Sequence, residues 1–230
     1  MSNNPFLVSP ARTRREAQAL MEADPLWDDQ ASGVGGDVAV VGPATPELVG
    51  PVDTENLEDW PTTVLNDVPD LCVMGLHGGA GASTLLQLLS PADEGAGAGP
   101  TPTVGEAGRE WPVANAWLTP APMVRVVAVA RTHHHGLDRA DRLARLWAAG
   151  RLPGAELVGL VLVDDGPRLT KAQAQAVRRL ARMTPRGWHL PWAERWRWES
   201  PSPSTCGLRV RRIAASILAA AAGDTKGTNR

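Results

Sequence analysis

Lysine is the residue this chain does without. Only Lys171 and Lys226 occur among 230 residues, and neither lies near the glycine-rich stretch where a phosphate-binding chain would place one. Tyrosine is absent and phenylalanine occurs once, so aromatic packing falls to nine tryptophans. Two cysteines, Cys72 inside an apolar run and Cys206 far along the chain, exclude a disulfide framework and predict reduced thiols in a cytoplasmic protein. Long apolar runs are missing too. The stretch from Ile213 to Ala222 is about half of the ~20 residues a membrane-spanning helix needs, so no span is expected. The start, Met1-Ser-Asn-Asn-Pro5, lacks a charged region followed by an apolar one, so no secretory signal is expected. Few lysines beside abundant Ala, Arg, Gly and Pro is a GC-rich codon signature, consistent with an actinobacterial source.

Charge of one sign is scarce locally. The net charge of −2 hides an arm, residues 1–67, with 3 basic and 12 acidic side chains, and a body, residues 68–230, with 20 basic and 13 acidic. An acidic arm on a basic body can rest on its own domain, leave the body for an acidic partner, or simply solubilise the chain. The arm has one helix-compatible stretch, Arg12 to Ala23, followed by prolines, glycines and scattered acids. Such a composition buries too little surface to offset chain entropy, so the arm is predicted to be mostly disordered. Within it, Leu57-Glu-Asp-Trp-Pro61 sets a tryptophan among acids, as a docking motif or a cap on the domain edge.

What is there centres on Asp70 to Leu89. A short apolar run, Leu71 to Met74, meets a glycine-rich turn, Gly75 to Gly81, then Ser83-Thr84 and a leucine-rich helix stopped by Pro91. This is the strand–loop–helix order in which backbone N–H groups and a helix N-terminus face an anion. Gly78, Gly79, Ala80, Gly81, Ala82, Ser83 and Thr84 are therefore the phosphate-binding candidates. Ala82 occupies the position of the lysine that would reach the phosphates.

His77-Gly-Gly-Ala-Gly-Ala-Ser-Thr84 resembles the deviant Walker A loop of ParA/MinD-type ATPases, with Gly78, Gly79, Gly81 and the Mg²⁺-binding hydroxyl of Ser83 matched and both lysines replaced, by His77 and Ala82. More closely, the chain resembles a family of uncharacterised actinobacterial proteins. The shared features are this core together with Trp111-Pro112, Val129-Ala-Arg-Thr132, Gly159-Leu-Val-Leu-Val163 and Trp188-His-Leu-Pro-Trp192. The resemblance spans roughly residues 70 to 198 and implies a fold rather than an established activity. It also implies that the region carrying further strands and a switch aspartate in ParA/MinD-type proteins is reduced here to a linker ending at Gly105–Pro112.

Farther along, Val124–Ala130 and Val158–Val163 read as strands buried on both faces of a parallel sheet. The first ends in Arg131-Thr-His-His-His135. Adjacent histidines do not share a face, so a metal is not expected, although Arg131 and the histidines can line the same crevice as the glycine loop. The second ends in Asp164-Asp165, either a Walker B carboxylate for Mg²⁺ or, as the resemblance implies, loop residues after a later strand. A helix from Leu137 to Ala149 directs Leu137, Ala140, Leu143 and Trp147 inward. Its Arg139, Arg142 and Arg145 form a stripe, either a solvated face or a track for nucleic-acid phosphates. Thr170 caps a helix reaching Met183. Trp188 to Pro191 is a last short strand, and the i, i+4 spacing from Trp188 to Trp196 suggests one apolar seam. Leu208 to Ala222 is a helix packing through Leu208, Ile213, Ile217 and Leu218, and 224–230 form a polar tail.

The expectation is an α/β three-layer sandwich with a mainly parallel sheet of four or five strands, degenerate P-loop NTPase-like, over residues 68–223, with the Arg-rich helices on its two faces. Two functions compete, and a true ATPase using Arg131 or Arg109 in place of the lysines is a remoter third. One is a ParA/MinD-like nucleotide-sensing or pseudo-ATPase accessory factor with little or no hydrolysis, binding Mg²⁺-ATP or Mg²⁺-GTP weakly, with His77, Arg131 and Asp164 as crevice or Mg²⁺-associated residues. The other is a non-catalytic interaction protein whose basic body binds a protein or nucleic-acid partner, in plasmid partition or conjugative transfer. Homodimerisation across the loop would lack its trans-acting lysine, because His77 stands there.

Overall fold

The computed structural model describes residues 38–90, 102–120 and 122–223. Eight strands and four helices follow in order: β1 Ala39–Val41, β2 Thr62–Leu65, β3 Leu71–Gly75, α1 Ala82–Leu89, β4 Val104–Glu106, β5 Trp111–Ala114, β6 Val124–Arg131, α2 His134–Ala148, β7 Ala155–Val163, α3 Lys171–Ala181, β8 Arg186–Leu190 and α4 Leu208–Ala221. The main sheet has the order β1-β8-β7-β6-β3-β4, parallel except for β1, which runs antiparallel to β8. β2 and β5 form a separate parallel pair. This is an α/β fold on a mostly parallel sheet, with six strands instead of four or five.

The strand order explains where the helices lie. From β6 through β7 to β8 the chain advances in one direction across the sheet, so crossovers of one hand put α2 and α3 on the same face. From β3 to β4 it steps the opposite way, and α1 falls on the other face. Side-chain alternation along the strands records this. Cys72, Met74, Val126 and Ala128 pack with Leu143, Leu146, Val177 and Leu180, whereas Leu71, Val73, Val127 and Val129 pack with Leu85, Leu88, Ile213 and Ile217. The Arg-rich helices α2 and α3 thus share one face, where one on each had been expected.

Local chemistry sets the helix ends. Thr170 accepts from the Gln173 N–H at 3.2 Å while the Gln173 side chain accepts from the Thr170 N–H at 2.9 Å, a reciprocal capping box. α2 begins three residues before the expected Leu137, because His133 caps it by accepting from the Gly136 N–H at 3.0 Å. In α4 the packing face is Val210, Ile213, Ala214 and Ile217, and Leu208 at the first turn is exposed. Trp188 and Trp196 pack against one apolar cluster, as their spacing suggests, but not along a helix. Trp188 is buried in a strand and donates to Ser216 Oγ at 3.1 Å, while Trp196 follows in a 3-10 turn and Trp198 is exposed.

Two boundaries differ from expectation. Of the arm 1–67, residues 1–37 lie outside the described residues, as do 91–101 and the tail 224–230; residues 38–67 supply β1, β2 and a packed connection. The expected linker ending at Gly105–Pro112 holds β4 and β5. Trp111 is fully buried there and donates to the Pro153 carbonyl at 2.9 Å. Cys72 and Cys206 are free thiols in the clusters on opposite faces of the sheet, which separates them. Burial pushes the Cys72 thiol up to about 11, leaving it unreactive near neutrality. No helix among the described residues is long and apolar enough to cross a membrane.

Candidate functional site

β3 is the strand at which the order turns back, with β4 on one side and β6 on the other. The crevice at the carboxyl end of such a strand is where open α/β sheets take ligands. The loop from Leu76 to Gly81 fills that position. Gly79 (φ 73°) and Gly81 (φ 98°) adopt the left-handed conformation that residues with a Cβ resist. Gly81 is the residue before α1, and no side chain caps that helix. Its first amides, on Ala82, Ser83 and Thr84, precede any possible intrahelical acceptor and face outward over a cleft of about 450 Å³. All seven loop residues from Gly78 to Thr84 line this cleft, with His77 and Arg131.

His77 holds the loop to the sheet. Its ring is buried, its Nε2 accepts the Arg131 N–H at 3.1 Å, and its Nδ1 lies 2.8 Å from the Gly78 carbonyl oxygen. An amide can only donate and a carbonyl can only accept, so the ring is the neutral tautomer with its proton on Nδ1. Burial is the main cause lowering its pKa, and His133, His135 and Arg131 press the same way against the Gly78 bond. His77 is therefore an uncharged strap. The His133 ring sits 4.8 Å and the His135 ring 5.7 Å from it. Among the described residues no group of three or more His, Cys, Asp or Glu is placed to hold a metal.

This gives a pH expectation. Below about 6.5, the ordinary histidine value, the unfolded chain takes up a proton that folded His77 refuses, so stability falls as pH drops. Unfolding by urea at about pH 7.5 and about pH 5.5 measures the loss. His77→Gln, whose amide oxygen can still accept from Arg131, should lose less stability between the two.

Arg131 is committed as well. Its Nε donates to the Gly79 carbonyl at 3.3 Å and a terminal nitrogen donates to the Asp164 carbonyl at 2.9 Å. The Asp164 carboxylate itself points away from the loop. It lies two strands over from β3, 2.8 Å from His189 Nε2, and accepts the Trp192 N–H at 3.4 Å. Asp164 is thus joined to the glycine loop through its backbone by way of Arg131, while its carboxylate pairs with His189 and does not line the cleft.

Another carboxylate is there instead. Glu106, the last residue of β4, accepts from the Ser83 hydroxyl at 3.3 Å and lines the cleft. Arg109, three residues on, lines it too. Sequence reasoning weighs Arg109 only as a stand-in for a missing lysine and passes over Glu106, because Val104-Gly-Glu106 has no apolar run and becomes a strand only by pairing with Leu71–Val73. The Gly108 carbonyl, accepting the Gly75 N–H at 2.8 Å, secures this segment beside the loop.

The arginine stripe of α2 turns toward the chain's own acidic segment. Arg139 and Arg142 lie over the Trp60 ring at 4.6 and 5.5 Å, Arg142 donates to the Glu58 and Asp59 carbonyls, and Arg145 pairs with Asp141 at 2.7 Å. Arg151 joins them, donating to Asp59 and to the Thr54 and Leu57 carbonyls.

Residues 70–214 match the model of a family of unknown function, DUF6668. The chain belongs to that family. The matched span begins just before β3 and takes in the glycine loop, Glu106, Arg109 and every later strand of the main sheet. No curated protein matches the chain.

Proposed function

We propose that this DUF6668 protein is a degenerate, ParA/MinD-like P-loop protein that senses or holds a nucleotide with little or no hydrolysis. The observation carrying this is the uncapped start of α1, opened by Gly79 and Gly81 onto a cleft at the strand where the sheet order reverses. Phosphates would lie on the backbone amides of Gly79, Gly81, Ala82, Ser83 and Thr84, the Ala80 N–H being bonded to the His77 carbonyl, and the Ser83 hydroxyl with Glu106 would hold Mg²⁺. Hydrolysis draws chiefly on cationic groups aimed at the transferring phosphoryl group. Here Ala82 has no charge, His77 is held neutral, and Arg131 is spent on two carbonyl oxygens, which leaves Arg109 as the uncommitted cation among the described residues lining the cleft, too few charges for efficient transfer. His77 points into the fold and cannot reach a second subunit, so the proposal includes no dimer across the loop. The alternative, a non-catalytic body that binds a protein or nucleic-acid partner, keeps its basic excess but not the α2 stripe as a phosphate track, since Arg139 and Arg142 clasp Trp60.

Calorimetric titration with Mg²⁺-ATP, Mg²⁺-GTP and ADP tests this. Dissociation constants in the micromolar range, roughly −8 kcal/mol, are expected for at least one nucleotide. Binding should vanish in Gly81→Asp and weaken in Gly78→Ala, whose added methyl meets nothing within 4 Å in the fold and takes up space in the cleft that Gly78 lines. Silence of the unmodified protein toward all three nucleotides would overturn the proposal.

A further inference from the structure

The trough does not end at the glycine loop. A second cleft of about 680 Å³ adjoins the first and shares His77, Gly78, Gly108 and Arg109 with it. Two guanidiniums, Arg109 from the β4–β5 turn and Arg139 from α2, line it beside the His135 ring, over Leu76 and Ala107. Arg139 is fixed there, its Nε donating to the Leu76 carbonyl at 3.2 Å and its charge stacked on Trp60. Arg109 is held differently. Its carbonyl accepts the Trp60 indole N–H at 3.0 Å, while its guanidinium makes no hydrogen bond or ion pair among the described residues. The backbone is anchored and the charged head is available.

These charges crowd one another. Burial lowers the pKa of Arg139, and Arg142 and Arg109 add to the effect against Asp138 and Glu58. Glu110 is the one carboxylate lining the cleft. Partly desolvated like charges cost free energy that an oxyanion between them recovers, and guanidinium forks match phosphate oxygens.

We propose that this second cleft is an oxyanion subsite, so that the ligand is a chain of phosphate groups running from the glycine loop to a terminal phosphate between Arg109 and Arg139. The inference rests on the phosphate-loop reading above, and it adds the substrate class: a polyphosphate chain, carried by a nucleoside or free.

The test titrates ATP, inorganic tripolyphosphate and orthophosphate into the unmodified protein, Arg109→Gln, Arg139→Gln and Gly81→Asp. Arg109→Gln keeps the carbonyl that Trp60 uses, so it reports on the site even if Arg139→Gln disturbs packing. Loss of charge-assisted hydrogen bonds should weaken tripolyphosphate about 10-fold or more in Arg109→Gln, with orthophosphate unchanged. If ATP weakens in parallel, the chain is nucleoside-borne; if tripolyphosphate binds and ATP does not, it is free. Unchanged affinities in both arginine variants would overturn the subsite while leaving the loop reading intact. Tripolyphosphate that still binds Gly81→Asp but not Arg109→Gln would keep the subsite and overturn the loop reading. No binding of any probe would overturn both.

Discussion

Gly136→Ala should lower the free energy of unfolding by about 4 kcal/mol or more, a drop in melting temperature of roughly 8–16 °C for a domain of this size. The added Cβ would sit on the Arg131 carbonyl oxygen and 2.9 Å from His77 Nε2. Neither neighbour has room to yield. The carbonyl belongs to the last residue of β6, and the imidazole is held from both ring nitrogens. The first turn of α2 would lift from the sheet, or His77 would leave its place and release the glycine loop. Differential scanning calorimetry reads the stability loss. Gly78→Ala gives the contrast: its methyl meets open space, so its melting temperature should match the unmodified protein within about 0.5 kcal/mol of stability. Equal stability of Gly136→Ala and Gly78→Ala would refute the close approach of helix and loop.

Trp60→Ala should cost about 3–5 kcal/mol, the range for emptying a buried tryptophan site. Trp60 is 4% exposed, and its loss also removes the surface on which Arg139 and Arg142 lie. Two ion pairs at this segment, Arg151 with Asp59 at 2.6 Å and Arg142 with Glu58 at 3.7 Å, are mostly exposed on the acid side and cannot replace it. The segment from Thr54 to Pro61 should then become a site of early proteolytic cleavage. Trp60→Phe separates the two roles of the indole. It keeps a ring under the guanidiniums, loses the bond to the Arg109 carbonyl, and should cost nearer 1 kcal/mol than 4. A digest with a glutamate-specific protease, which can cut after Glu55 or Glu58, that finds this segment as resistant in Trp60→Ala as in the unmodified protein would argue against the clasp.

Why some of this was legible and some was not follows from how each element earns its stability. β3, β6 and β7 are buried on both faces, so apolar residues run through them with little alternation and announce strands unaided. The start of α3 is written in Thr170, which caps it. The glycine loop is legible because backbone conformation itself demands its glycines. By contrast, β1, β2, β4 and β5 are three or four residues long and exist by virtue of their partners. Glu106 and Arg109 inherit that obscurity, since nothing local places them beside Ser83. Asp164 stays ambiguous in the sequence for a related reason. An apolar strand ending in aspartate has the composition of a Walker B element, but which strand lies beside β3 is a matter of sheet order. The arginines of α2 kept the helical spacing of a solvated face because their partner, Trp60, lies about eighty residues earlier in the chain.

The antiparallel strand β1 carries a consequence for how the family is handled at the bench. The shared family segment opens at residue 70, yet the sheet closes with a strand from residues 39–41 laid along β8. A fragment trimmed to the shared segment would forfeit that strand, leaving β8 as a bare edge inviting pairing with another molecule. It would also lose β2 and Trp60, uncovering Trp111 and the arginines of α2 together. The homologous unit and the unit able to fold are different lengths of chain, and the longer one begins some thirty residues earlier.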